Sequence, residues 1–133
     1  MTSNLPLFLI VDQEKIPDSI SMIFHRQRIS FHQVFTAADC LKIVMNRNFA
    51  LVVIDENLSD LPGLTLVSLL KRMKPDIEIV FTTSNHNPQK EIDARLAGIL
   101  YYAVKPIDWS LLGEIIERTL SKRSPKLLLS SQT

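Results

Sequence analysis

Two short apolar runs in the chain, FLIVD and LVVID, each stop at an acid, Asp12 and Asp55, forty-three positions apart. Another run stops at Thr82, Thr83 and Ser84, and a later one is followed by Lys105 and Pro106. If one edge of a fold gathers these ends, two carboxylates meet there. They repel by roughly 4 kcal/mol at about 4 Å and an effective dielectric near 20, unless a cation sits among them. Oxygen donors of this kind suit a hard cation such as Mg2+, which keeps several of its waters. The backbone carbonyl of Asn57, two residues past Asp55, is a further donor. Hydroxyls and one ammonium at the same edge complete a set of groups able to handle an oxyanion.

The elements that must position these groups are legible in the patterning. Apolar runs bounded by polar residues recur at Leu5 to Val11, Phe31 to Phe35, Phe49 to Ile54, Ile77 to Thr83 and Ile99 to Val104, which predicts five strands. Between them lie stripes at helical spacing: Ile16, Ile20, Ile23 and Phe24; Leu41, Val44 and Met45; Leu66, Leu69, Leu70 and Met73; a weaker one at Ile92 and Leu96. A last stripe runs through Leu111, Leu112, Ile115, Ile116 and Leu120. Pro17 suits a first helical turn, Thr36 and Asp108 suit N-caps, Gly98 a C-terminal stop, and Pro75 follows a helix ending at Lys74.

Strand then helix, five times over, predicts an α/β fold: a doubly wound, flavodoxin-like (βα)5 unit with a five-stranded parallel sheet. With strand order 2-1-3-4-5 the switch in winding lies between strands one and three, and ligands bind beyond the carboxyl ends there. Those are the strands that end in Asp12 and Asp55. Residues 1–124 form the domain, and the tail 125–133, KLLLSSQT after Pro125, is too short for another.

The chain has 133 residues, 46% of them hydrophobic, enough for one core. Its net charge of +1 is spread along the chain and leaves no footprint for nucleic acid or an anionic membrane. Leu5 to Val11 is far too short to span a membrane, and the lone Cys40 cannot form an internal disulfide, which predicts a cytoplasmic setting. His25, His32 and His86 lack the spacing of zinc ligands. A loop histidine such as His86 is most often simply exposed, so it is left out of the site.

The order and spacing of Asp12, Asp55, Gly63 eight residues after Asp55, Thr83, Tyr102, and Lys105-Pro106 twenty-two after Thr83 resemble a response-regulator receiver domain of bacterial two-component signalling, over Leu5 to about Arg123. The resemblance implies that Asp55 accepts a phosphoryl group from a partner histidine kinase, a phosphotransfer protein or a small acyl phosphate. It implies Mg2+ held by Asp12, Asp55 and the Asn57 carbonyl, and Lys105 paired with Asp55. Thr83 and Tyr102 would be the switch residues, and the Lys105-Pro106 bond would be cis. Such a protein is a phosphoacceptor rather than an ordinary enzyme. With no output domain in the sequence, the expectation is a single-domain regulator acting on a separate effector protein. Effector binding or homodimerisation would use the surface of the fourth helix, fifth strand and fifth helix.

Two departures from the family pattern stand out. Its second acid after strand one is here Gln13, neutral and one methylene longer than Asp, which makes it a weak or absent metal ligand, with Glu14 beyond it. The loop ENLSDLPG carries Leu58 and Ser59 where the family prefers Met and Pro, with Pro62 moved next to Gly63. A receiver with weakened metal dependence and a degenerate pseudo-receiver, binding proteins independently of phosphorylation, both follow from Gln13. The survival of Asp55, Thr83 and Lys105 together favours the first. Taken singly, strand-end acids, a loop lysine and β-favouring threonines are ordinary surface and strand features; β-propensity and loop polarity account for Thr82. A flavodoxin-like carrier or a dehalogenase-like phosphatase is disfavoured: no phosphate loop follows strand one, and the acids lack the spacing for a nucleophile pair.

Overall fold

The structure, a computed structural model, describes residues 7–115, 117 and 118. The elements are β1 (Leu7–Val11), α1 (Asp18–Arg26), β2 (Ser30–Val34), α2 (Ala37–Asn46), β3 (Leu51–Asp55), α3 (Gly63–Met73), β4 (Ile79–Thr83), α4 (Pro88–Leu96) and β5 (Tyr101–Val104). A fifth helix, α5, follows over residues 109–115. All strands run parallel in the order β2-β1-β3-β4-β5, as the sequence predicts, with element ends shifted by a residue or two.

β3 and β4 are apolar without alternation up to their carboxyl ends, since helices cover both of their faces. Leu9, Val11, Val52, Ile54, Ile79 and Phe81 point to one side, under α2, α3 and α4. Phe8, Ile10, Leu51, Val53, Val80 and Ala103 point to the other, under α1 and α5. Each Val, Leu, Ile or Phe side chain among them taken fully out of water contributes about 1.5–3 kcal/mol. Phe24 anchors α1 against the rings of Phe8, Phe31 and Trp109, with centroids 6.0, 5.4 and 5.5 Å away.

The helix ends follow local chemistry. Thr36 Oγ1 accepts the Asp39 amide at 3.1 Å, Asp108 Oδ1 accepts that of Leu111 at 3.0 Å, and Gly98 leaves α4 at φ 100°. Asn87, with Pro88 behind it, caps α4 by accepting the Lys90 amide at 2.7 Å. Pro17 stands one place earlier than expected, at the N-cap of α1 rather than inside its first turn.

Several stripe residues do not enter the core. Met45 is 71% exposed and Leu96 81%, and Met73, Ile92 and Leu111 are also exposed. α4 touches the sheet chiefly through Ala94, so its flanking Ile92 and Leu96 turn outward. α1 buries Phe24 and α4 buries Ala94, so the way each short helix rolls against the sheet decides which of its apolar side chains leave water. Ile116, Leu120 and the tail 125–133 lie outside the described residues. Among the described residues no helix is long and apolar enough to cross a membrane.

Gly63 opens α3 against the end of β3. A Cβ there would stand 2.1 Å from the Asp55 carbonyl oxygen and 2.7 Å from Glu56 Cα, both backbone atoms. Gly63→Ala is expected to destabilise the fold by about 1–3 kcal/mol, read as a lower denaturant midpoint at unchanged slope.

Candidate functional site

The carboxyl edge of the sheet gathers the polar strand ends. Asp55 is the last residue of β3, Asp12 directly follows β1, and Lys105 directly follows β5. The backbone locks these last two: the Asp12 amide donates to Val34 O at 3.2 Å and that of Lys105 to Thr83 O at 2.7 Å. The Lys105-Pro106 bond is cis.

Lys105 Nζ lies 2.9 Å from Asp12 Oδ2 and 2.9 Å from Asp55 Oδ1, bridging the two acids. Asp55 is 5% exposed, and the Lys105 ammonium, the Thr82 hydroxyl and the Asn57 amide are donors to its carboxylate. Asp55 Oδ1 also accepts the Thr82 hydroxyl at 2.7 Å, and Oδ2 accepts the Asn57 amide at 3.0 Å. Burial lowers the pKa of the Lys105 ammonium, but the hydrogen bonds and charges of Asp12 and Asp55 outweigh it, and the net shift is upward.

Thr83 faces the other way. Successive side chains in a strand point to opposite sides, and register pairs Asp55 with Thr82. Thr83 Oγ1 therefore donates to Glu56 Oε1 and accepts the Asn85 amide at 3.0 Å. Lys90 Nζ holds the same Glu56 carboxylate, 2.9 Å from Oε2 and 3.0 Å from Oε1, and also bonds Asn85 O. On this side Tyr102 is buried at 6% exposure, stacked on Phe81, with its hydroxyl 2.9 Å from His86 Nδ1.

The loops beside the acids are pinned from neighbouring elements. The Gln33 side chain on β2 donates to Asp12 O and Glu14 O at 3.2 and 2.9 Å and accepts the Ile16 amide at 3.1 Å. Gln13 and Glu14 are exposed at the tip of this loop, and the Glu14 amide closes a turn onto Asp12 Oδ1 at 2.9 Å. In the altered loop after β3, the Asp60 carboxylate takes the Ala37 and Ala38 amides, both at 3.0 Å, at the start of α2. Those two bonds hold its pKa below the usual carboxylate range.

Of the residues picked from sequence, Asp12, Asp55 and Lys105 come together and Asn57 joins through its amide. Thr83 and Tyr102 lie on the opposite side of β4 and β5, and Gln13 faces solvent. Thr82, Glu56, Lys90, Gln33 and His86 join the two sides of this edge without standing among the site residues that the sequence predicts. Spacing along the chain gives no signal for Thr82, since the register between β3 and β4 decides which threonine shares the face of Asp55. Cys40 takes no part: burial pushes its thiol up to about 12.

Two carboxylates sharing one ammonium keep a single net negative charge, and these donors fit a hard divalent cation. Among the described residues no three His, Cys, Asp or Glu side chains are grouped to hold a metal.

The family model of the response regulator receiver domain matches residues 7–117. The chain belongs to that family. Among curated relatives, this receiver is 29% identical over 87 residues to the transcriptional regulatory protein ZraR of Salmonella typhimurium, covering 65% of the chain and 20% of ZraR. It is 25% identical over 119 residues to the response regulator protein PilR of Pseudomonas aeruginosa, covering 89% of the chain and 27% of PilR. The chain thus spans between 20% and 27% of the length of these relatives. The crystal structure of a CheY-like receiver domain from Methanospirillum hungatei superposes with a TM-score of 0.83 at 25% identity, over 92% of this chain and 99% of that one. The BeF3-activated DrrB receiver domain shares the fold, with a TM-score of 0.77 at 23% identity over 88% and 98% of the two chains.

Because the folded pKa of Lys105 is raised, the stability it contributes is fully present below the unfolded value of about 10.4 and is lost as pH rises through the folded one. The stability gap between the wild type and Lys105→Met should stay constant from about pH 7 to about pH 9 and shrink above about 10.4, measured by urea denaturation.

Proposed function

We propose that this receiver accepts a phosphoryl group on Asp55 from the phosphohistidine of a partner kinase or phosphotransfer protein, or from a small acyl phosphate. The observation that carries the reading is the Lys105 ammonium, 2.9 Å from both Asp12 and Asp55 at the switch point of the sheet. A carboxylate oxygen of Asp55 attacks phosphorus, the P–N bond to the donor imidazole breaks, and the bonding pair returns to the ring nitrogen. Lys105 stays protonated at neutral pH and neutralises charge on the oxygens gathered there. Mg2+ would be held by Asp12, Asp55 and the Asn57 carbonyl, with Gln13 a weak ligand. When bound it supplies charge neutralisation for the transferred oxygens.

The output follows from Thr83. To reach a phosphoryl oxygen on Asp55 its hydroxyl must leave Glu56, and the space it vacates lies on the Tyr102 side of the sheet. The adjoining surface exposes Ile92 and Leu96 of α4, Val104 of β5 and Leu111 of α5, and we assign it to a separate effector protein or a second copy of the receiver. We place the phosphotransfer in the cytoplasm and treat the domain as a phosphoacceptor rather than an enzyme with turnover. A phosphorylation-independent binding module is the competing reading, favoured by the exposed Gln13.

Intact mass after incubation with acetyl phosphate separates the two. An adduct is expected on the wild type with Mg2+, lost with chelator and in Asp55→Asn, and more complete in Gln13→Asp. An adduct only in Gln13→Asp would transfer the assignment to the binding module.

Glu56→Ala removes the acceptor that holds Thr83 away from Asp55. In an NMR titration with beryllofluoride and Mg2+, the shifts at Thr83 and Tyr102 should saturate at a mimic concentration about five-fold lower than in the wild type, as for loss of a hydrogen bond of about 1 kcal/mol.

A further inference from the structure

Among the described residues Thr82 is the one hydroxyl bonded to the Asp55 carboxylate, and receiver chemistry at Asp55 does not by itself assign it a role. Its residue is 1% exposed, in a strand whose remaining buried side chains before Thr83 are Ile79, Val80 and Phe81. A valine of the same shape would fill this position without a polar atom, so a hydroxyl here costs stability unless it is bonded. It donates to Asp55 Oδ1 at 2.7 Å. The same residue's carbonyl accepts the Glu56 amide at 2.9 Å, so Thr82 holds the end of β3 through both backbone and side chain.

We propose that Thr82 shortens the lifetime of the aspartyl phosphate; the inference rests on Asp55 as the phosphoacceptor. In hydrolysis a water oxygen attacks phosphorus, the bond from phosphorus to the Asp55 oxygen breaks, and the bonding pair stays on the carboxylate. Both protons of the water leave with inorganic phosphate as dihydrogen phosphate. A donor on Asp55 is worth most when that carboxylate carries its full charge, and least when it is esterified and neutral. Charge-assisted hydrogen bonds are about twice as strong as neutral ones, so Thr82 favours the departing carboxylate over the phosphorylated state. It also holds a lone pair of the free carboxylate, which slows attack on a donor. Thr82 thus returns the domain to its unphosphorylated form, opposite in sense to a group that would bind the phosphoryl oxygens.

The test compares the wild type, Thr82→Val, Thr82→Ser and Asp55→Asn. Each is phosphorylated with acetyl phosphate and Mg2+, freed of donor, and followed by intact mass over time. The Thr82→Val adduct is expected to decay about five-fold more slowly than the wild type, and Thr82→Ser to decay at the wild-type rate. Should Thr82→Val fail to fold, Thr82→Ala carries the same comparison. Equal or faster decay without the hydroxyl overturns the inference, as does a slow Thr82→Ser, which would put the effect in packing. An adduct missing from the wild type, or persisting in Asp55→Asn, sinks the phosphoacceptor reading and this inference with it. Failure confined to the Thr82 comparison leaves that reading intact.

Discussion

Neighbouring parallel strands that both end in an acid create a problem of charge, and the ammonium of Lys105 answers it. Asp12 and Asp55 stand side by side at the carboxyl edge because β1 pairs with β3, and each lies 2.9 Å from the same nitrogen. The lysine comes from β5, at the far end of the sheet from β2. The ion pairs therefore tie the winding order of the whole domain to the chemistry of its edge. A different strand order would leave two buried or half-buried carboxylates without a cation, at a cost the apolar core could not easily absorb.

Strand alternation divides the remaining polar groups into two compartments. Asp55, Thr82 and Lys105 share the side that carries the acids. Thr83, Glu56, Lys90, Tyr102 and His86 share the other. β4 separates the two sides, and the adjacent pair Thr82 and Thr83 is where they meet. One hydroxyl donates to the Asp55 carboxylate, while its neighbour donates to that of Glu56.

The loops that carry the acids are tied down by side chains from elsewhere. Gln33 of β2 bonds three backbone groups of the loop holding Asp12 and Gln13. Asp60 joins the altered loop after β3 to the start of α2. Gly63 lets α3 approach the Asp55 carbonyl more closely than any side chain would permit. The departures from the family pattern in this loop thus come with their own attachments, so the loop remains packed through Leu58 and Leu61.

The alternation of strand and helix, the parallel sheet, and the placing of Asp12, Asp55 and Lys105 at one edge were all determined by the sequence. Apolar periodicity, N-caps such as Thr36 and Asp108, and the stop at Gly98 are local signals that a chain cannot easily override. Which stripe residues would stay in solvent was not legible, because that depends on how each short helix rolls against the sheet. Only the tertiary structure decided which of two adjacent threonines faces Asp55, since that parity follows from the register between β3 and β4 and not from spacing along the chain. It alone decided that Lys90 reaches Glu56 across 34 positions and that Asp60 caps α2 from 23 positions away. Such pairs have no period and no motif; they exist because packing brings distant side chains within hydrogen-bond reach.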